Sequence, residues 1–123
     1  MQLNLERPDY TYFLRGADGT GALVNDRRLT VSFVVGPDAL VEAWPVHDVR
    51  QMTAADLDAV LALSPELVVL GTGATQVFPP PAVLAACLQR GVGLEVMSNA
   101  AAARTYSVLA GEGRRVVAGF VFG

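Results

Sequence analysis

The chain contains no lysine, and all nine of its basic residues are arginine. Schiff-base formation, pyridoxal-phosphate anchoring and the phosphate-binding P-loop each need a lysine, so the sequence excludes these chemistries. The formal net charge is −3, and the arginines form no basic stripe. These two features argue against nucleic acid as the main partner.

Cysteine and histidine each occur once, as Cys87 and His47. A single cysteine cannot form a disulfide within the chain, which is typical of proteins from a reducing compartment, so we expect a cytoplasmic location. One histidine beside Asp48 does not supply the three or four convergent ligands of a metal site. The sequence therefore predicts no metal, no cofactor and no catalytic set.

Long apolar runs and a basic leader are also absent from the sequence. Apolar runs such as residues 67–70 are far too short to cross a bilayer. The first ten residues, MQLNLERPDY, lack a basic segment followed by an apolar core, so we expect no signal peptide and no membrane insertion. At 123 residues, 52% of them hydrophobic, the composition predicts one domain, residues 1–123, with an adequate core.

The first part of the chain alternates short β-type runs with glycine and aspartate turns. We predict strands near residues 12–15, 22–25, 29–35 and 40–44. The clearest turns are Ala17-Asp18-Gly19 and Gly36-Pro37-Asp38. This pattern is typical of an antiparallel β-meander, and we expect Trp44 to be buried where the meander meets the rest of the fold.

The second part of the chain alternates helices with apolar strands. Thr53 and Asp56 form a partial capping box at the first helix, which Pro65 would end. Two further helices are predicted from Pro81 and from Ser98 or Asn99, and strands at residues 67–70, 92–97 and 116–122. The predicted buried stripe of the second helix is Val83, Leu84, Cys87 and Leu88. The order of a β-meander followed by αβαβαβ indicates an α/β fold with a mixed central sheet.

Several motifs occur in an order that resembles a known family. They are Trp44, LVVLGTG at residues 67–73, the prolines at 79–81 and GVGLEVMSNAAAARTYSVLAGEGRRVVAGF at residues 91–120. Together they resemble the MTH-type domain family, largely of unknown function, whose members include mitochondrial complex I assembly factor 3 and the adipogenesis-associated MTH domain protein. The resemblance implies a three-layer α/β arrangement, no catalytic activity, and a role in assembly or interaction with a protein partner.

Polar residues follow two predicted parallel strands at the point where each strand ends. Because such strand ends meet at one edge of a sheet, we expect the two segments to flank one crevice. A helix start at Ser98 would favour an anion, and Arg104 would add positive charge. The predicted ligand site consists of Gly71, Thr72, Gly73, Glu95, Ser98, Asn99, Arg104, Thr105 and Tyr106.

Some of these residues also have simpler interpretations. Gly71 and Gly73, with Glu95 near the end of the next strand, partly match a dinucleotide fingerprint, but Gln76 replaces its third glycine. The glycines equally suit a tight turn with close backbone packing. We expect Glu95 to be buried and paired with an arginine, and Tyr106 to be a core aromatic with its hydroxyl near the surface.

Two functions from different classes are compatible with the sequence. The first is a non-enzymatic interaction or assembly-factor-like protein, which the family resemblance favours. The alternative is a small-molecule or anion-binding domain, with or without enzymatic activity, that uses the crevice at residues 71–75 and 98–104. A homodimer formed through an edge strand of the meander is a further expectation.

Overall fold

Residues 10–123, the part of the chain that the computed structural model describes, form eight strands and three α-helices. The strands are β1 (Leu14–Ala17), β2 (Ala22–Val24), β3 (Arg27–Leu29), β4 (Phe33–Gly36), β5 (Ala39–Val41), β6 (Leu67–Gly71), β7 (Gly93–Met97) and β8 (Val116–Phe120). The helices are α1 (Asp58–Leu61), α2 (Pro81–Gln89) and α3 (Asn99–Gly111), with 3₁₀ turns at Val49–Gln51 and Ala54–Leu57.

The strands belong to two sheets. Strands β1, β2 and β3 form a small antiparallel sheet. The central sheet has the order β5-β4-β8-β6-β7, in which β6 is parallel to both β7 and β8 and β4 is antiparallel to its two neighbours. The predicted mixed α/β architecture is confirmed.

The predicted strand over residues 29–35 is wrong in one respect, because it is two strands that lie in different sheets. The chain crosses between the sheets at Ser32, which is fully buried. The Ser32 hydroxyl donates to the Val46 carbonyl at 2.6 Å and accepts from the Phe122 N–H at 2.8 Å. The first three strands of the meander therefore form a separate sheet, whereas β4 and β5 extend the central one.

Two other predicted elements are shorter than expected. The helix after Thr53 is a 3₁₀ turn followed by one α-helical turn, although the predicted capping box with Asp56 is present. The last strand ends at Phe120: the Val121 N–H still donates to the Gly71 carbonyl of β6, but the Phe122 N–H turns away from the sheet partner and donates to the Ser32 hydroxyl.

Two apolar clusters lie on opposite faces of the central sheet. The cluster beneath α3 and the small sheet contains Phe33 and Phe120, whose rings stack with centroids 5.1 Å apart. The cluster beneath α1 and α2 contains Trp44, which is buried as expected, and the fully buried Cys87. The Trp44 Nε1 donates to the Asp56 carbonyl at 2.9 Å, so the indole joins the segment after β5 to the 3₁₀ turn before α1.

Candidate functional site

The glycine turn after β6 and the start of α3 lie side by side at one rim of the central sheet. The ends of β6 and β7 are level, since Gly71 is the register partner of Met97. Beyond them, the Gly73 N–H donates to the Asn99 Oδ1 at 3.1 Å, and the Asn99 N–H donates to the Gly73 carbonyl at 2.8 Å. The structure therefore brings together the two segments that the sequence places at a common edge.

Asn99 connects four segments of the chain at this rim and is fully buried. Besides its bonds to Gly73, its Nδ2 donates to the Asp18 carbonyl at 3.1 Å and to the Val121 carbonyl at 3.2 Å. A Cβ on Gly71 would overlap the Asn99 Oδ1. Gly71 is thus required for the close approach of this amide, which explains the glycine without a ligand.

Thr72 holds the loop that follows β6. Its hydroxyl lies 2.6 Å from the Thr75 carbonyl oxygen and 3.2 Å from that of Met97, and it accepts from the Val77 N–H at 2.9 Å. Gly73 adopts a φ of 105°, a left-handed conformation that favours glycine. The hydroxyl and the glycine therefore serve the turn itself.

The turn between β1 and β2 lies on this loop. A Cβ on Gly19 would stand 2.8 Å from the Cβ of Ala74. Asp18 organises the turn by accepting from the N–H groups of Thr20 and Gly21, at 2.8 and 3.0 Å. These hydrogen bonds, that from the Thr20 backbone foremost, lower the pKa of Asp18 below its usual 3.8. The small sheet therefore covers part of the rim where a crevice was predicted.

Three further residues of the predicted site have partners within the protein. The Ser98 hydroxyl caps α3 by accepting from the Ala101 N–H at 3.3 Å, and the Thr105 hydroxyl lies 3.3 Å from the Met97 sulfur. Tyr106 is fully buried, and its hydroxyl donates to the Tyr12 carbonyl at 3.0 Å. Burial raises the pKa of Tyr106 well above its usual value.

Glu95 and Arg104 are exposed, so the expectation that Glu95 is buried and paired with an arginine is wrong. The ion pairs among residues 10–123 are Arg15–Asp26, Arg27–Glu42 and Arg114–Glu66. The physical reason is strand order: β8 inserts between β4 and β6, which leaves β7 at the edge of the sheet with one side open to solvent.

A groove of about 930 Å³ lies elsewhere, between the β4–β5 turn and the C-terminal end of α3. Its lining includes Asp38, Ser107, Arg114 and Arg115. The two arginines are already engaged: the Arg114 Nε lies 3.3 Å from Glu66 Oε1, and the Arg115 Nε donates to the Ser64 carbonyl at 3.3 Å. No sequence pattern predicted this groove, because its lining comes from turns and a helix end that are distant along the chain.

Large apolar side chains are exposed on and just before α2, and we call Phe78, Leu84 and Leu88 the α2 surface. Their exposed fractions are 68%, 46% and 65%. The predicted buried stripe of this helix is therefore only half correct, because Val83 and Cys87 are buried but Leu84 and Leu88 are not. The sequence could not show that Leu84 and Leu88 are exposed. One flank of the apolar face of an outermost helix is buried only if another element packs against that flank.

Comparison with known proteins identifies the family. A model described as "Protein of unknown function (DUF498/DUF598)" matches residues 14–121. The chain belongs to this family. A bovine relative, named NADH dehydrogenase [ubiquinone] 1 alpha subcomplex assembly factor 3, is 33% identical over 96 residues, which are 76% of this chain and 52% of that protein. The chain spans just over half the length of the curated relatives it matches.

Solved structures of relatives have the same fold. A protein of Xanthomonas campestris, determined by NMR, is 59% identical, with a TM-score of 0.84 over 100% of this chain and 93% of that one. A Bordetella pertussis protein described as a Mth938-like domain is 29% identical, with a TM-score of 0.82 over 98% of this chain and 92% of that one. The resemblance to the MTH-type family is thereby confirmed. Within residues 10–123, none of the helices is both long and apolar enough to cross a membrane.

Proposed function

We propose that this protein is a non-enzymatic interaction protein of the assembly-factor type, which binds a partner protein through the α2 surface. The observation that carries the proposal is the exposure of Phe78, Leu84 and Leu88, each of which is about half or more open to solvent. Exposed apolar side chains that stand together, as Leu84 and Leu88 do one turn apart on α2, commonly mark a binding surface.

The local structure favours this surface as a preformed binding element. Leu84 and Leu88 are four residues apart, so they stand on one face of α2, a turn from each other. Phe78 precedes three consecutive prolines, the last of which is the first residue of α2. Because prolines restrict the backbone, little conformational entropy is lost when an aromatic side chain beside them is buried by a partner.

The bovine relative supports the class of function, since its name describes an assembly factor. A role in assembly requires binding to other proteins and no chemistry of its own. This chain matches about half of the bovine protein. Only a function of that matched half can be proposed for this chain.

Comparison of co-purifying proteins between matched variants tests the proposal. The double variant Leu84→Ser/Leu88→Ser removes apolar surface at the proposed interface, and Val108→Ser removes it at a site on α3 that is 60% exposed. We expect one protein to co-purify in constant ratio with the wild type and with Val108→Ser and to be lost from the double variant. Retention of every co-purifying protein by the double variant would contradict the proposal.

The remaining expectations from the sequence stay predictions. A small anionic ligand at residues 71–75 and 98–104 would have to contact groups other than the Asn99 amide and the Thr72 hydroxyl, which have internal partners. Thermal-shift measurements with phosphate and dicarboxylates test that site. Cell fractionation tests the cytoplasmic location, and sedimentation tests the homodimer.

A further inference from the structure

Strand β7 has one hydrogen-bonding edge that no other strand occupies. The Gly93 N–H donates to the Glu66 carbonyl at 3.4 Å, and the Thr72 N–H donates to the Met97 carbonyl at 3.0 Å. Backbone groups of Gly93, Glu95 and Met97 thus point toward β6. Because successive residues of a strand point their backbone groups in opposite directions, those of Leu94 and Val96 point to the open edge.

One of the four outward backbone groups is already paired. The Gln76 side chain donates to the Val96 carbonyl at 2.8 Å. Within residues 10–123, the N–H and carbonyl of Leu94 and the N–H of Val96 have no partner. Proteins usually protect such an edge with proline, lysine or a covering element, and this five-residue strand contains neither residue.

The handedness of the chain places Leu84 and Leu88, the helical part of the α2 surface, beside this edge. Parallel strands are joined by right-handed crossovers, so α2 passes over the sheet between β6 and β7. Val83 and Cys87 face the sheet, and the next residue after each, Leu84 or Leu88, lies about 100° further round the right-handed helix. This rotation directs both leucines past β7, while Ala86 on the opposite flank is packed in the core.

We propose that β7 accepts an extended segment of the partner protein as a sixth strand of the central sheet. The inference rests on the proposed function, because the α2 surface provides the apolar contacts above the added strand. Alternate side chains of the segment would pack on Leu84 and Leu88. The backbone groups of the segment that face β7 would pair with the N–H and carbonyl of Leu94 and with the N–H of Val96. On the other face a basic side chain of the segment would lie beside the exposed Glu95.

Charge favours a different protein over a second copy of this chain. In the two-fold antiparallel register that pairs Leu94 with Val96 of the other copy, the two Glu95 side chains would stand directly opposite each other. Like charges in that position destabilise a strand pair, whereas an arginine or lysine opposite Glu95 stabilises it. The open edge therefore fits an extended segment in which apolar residues alternate with polar ones that include a basic residue.

Peptide titration of the ¹⁵N-labelled full chain tests the inference. The probe is the capped peptide Thr-Val-Thr-Val-Arg-Val-Thr-Val, compared with versions that carry Glu for Arg or methyl groups on all interior amides. We expect the Arg peptide to shift the amide signals of Leu94 and Val96 and to slow their hydrogen exchange. It should bind up to about five-fold more tightly than the Glu peptide, and Glu95→Arg should reverse that order. The methylated peptide should not bind.

Several results would overturn the inference. They are no binding at millimolar peptide, shifts confined to other strands, equal affinity for the Arg and Glu peptides, or protection of the Leu94 and Val96 amides by self-association without peptide. Leu94→Pro removes the N–H that faces the open edge and breaks no hydrogen bond between β7 and β6, so it should abolish peptide binding. The control variant Val108→Ser should leave peptide binding unchanged. If the co-purifying partner is lost from Leu84→Ser/Leu88→Ser but kept by Leu94→Pro, docking on α2 stands and strand addition fails.

Discussion

Asn99 and Gly73 are joined by two hydrogen bonds of opposite direction. The side-chain oxygen of Asn99 accepts from the Gly73 N–H at 3.1 Å, and the backbone N–H of Asn99 donates to the Gly73 carbonyl at 2.8 Å. This pair fastens the start of α3 to the loop after β6. The side-chain amide of Asn99 also donates to the Asp18 carbonyl, so it connects the small sheet to the central sheet. Asn99, which the sequence analysis includes in the predicted ligand site, thus connects three other segments of the fold to α3.

Asn99→Ala should lower the free energy of unfolding by about 2–4 kcal/mol. The substitution removes three side-chain hydrogen bonds and leaves their backbone partners unsatisfied in a buried place. Urea denaturation followed by circular dichroism measures the change. Ser98→Ala is the control, because it removes only the cap of α3 and should cost about 1 kcal/mol. Equal losses for the two variants would contradict the role given to Asn99.

Gly119→Ala should lower the free energy of unfolding by about 1–3 kcal/mol. A Cβ at this position of β8 would stand 2.7 Å from the Trp44 ring, which is held by its bond to Asp56 and cannot withdraw freely. Gly111→Ala is the matched control, since a Cβ there meets nothing within 4 Å at the end of α3. Thermal unfolding of both variants checks the prediction, and a Gly119→Ala protein as stable as the control would refute it.

The two halves of the predicted α2 stripe should respond differently to truncation. Leu88→Ser should change stability by no more than about 0.5 kcal/mol because Leu88 is mostly exposed. Val83→Ala should cost about 2 kcal/mol because Val83 is fully buried against the sheet. Chemical denaturation measures both values. A large loss for Leu88→Ser would show that the leucine is covered in solution.

The thiol of Cys87 should be unreactive in the folded protein. The residue is fully buried among the side chains beneath α2, and burial raises the pKa of the thiol, so little thiolate forms near neutral pH. Labelling with a chromogenic disulfide reagent should be slow in buffer and immediate in denaturant. Rapid labelling of the native protein would mean that α2 opens readily from the sheet.

Asp18 should contribute to the acid sensitivity of the fold. The pKa of Asp18 is lowered in the folded state, so the unfolded chain binds the proton more readily. The ionised carboxylate therefore adds to the free energy of unfolding, and this addition is complete above the unfolded pKa near 3.8. The contribution is lost as the pH falls from that value through the lowered folded pKa. An NMR titration should give a midpoint below 3.8, and Asp18→Asn should flatten the fall of stability in this range. A midpoint at or above 3.8 would contradict the turn geometry.

The sequence predicted the elements whose signals are local. The proline at the start of α2, the capping box at Thr53 and the Gly36-Pro37-Asp38 turn occupy their expected places, since each depends on backbone preferences of neighbouring residues. The same holds for the family, whose motifs follow one another along the chain. That residues 1–123 form one domain stays a prediction.

Tertiary structure alone decided which strand lies at the edge and which apolar residues stay exposed. Apolar alternation is the same in a strand with one neighbour as in a strand with two, so nothing local distinguishes the position of Glu95 in β7 from one inside the sheet. The exposure of Leu84 and Leu88 likewise depends on the absence of packing on one flank of α2 among the described residues. Amino-acid patterns determined what each segment is, while strand order determined which surfaces are left for a partner, because burial is a property of neighbours brought together by the fold.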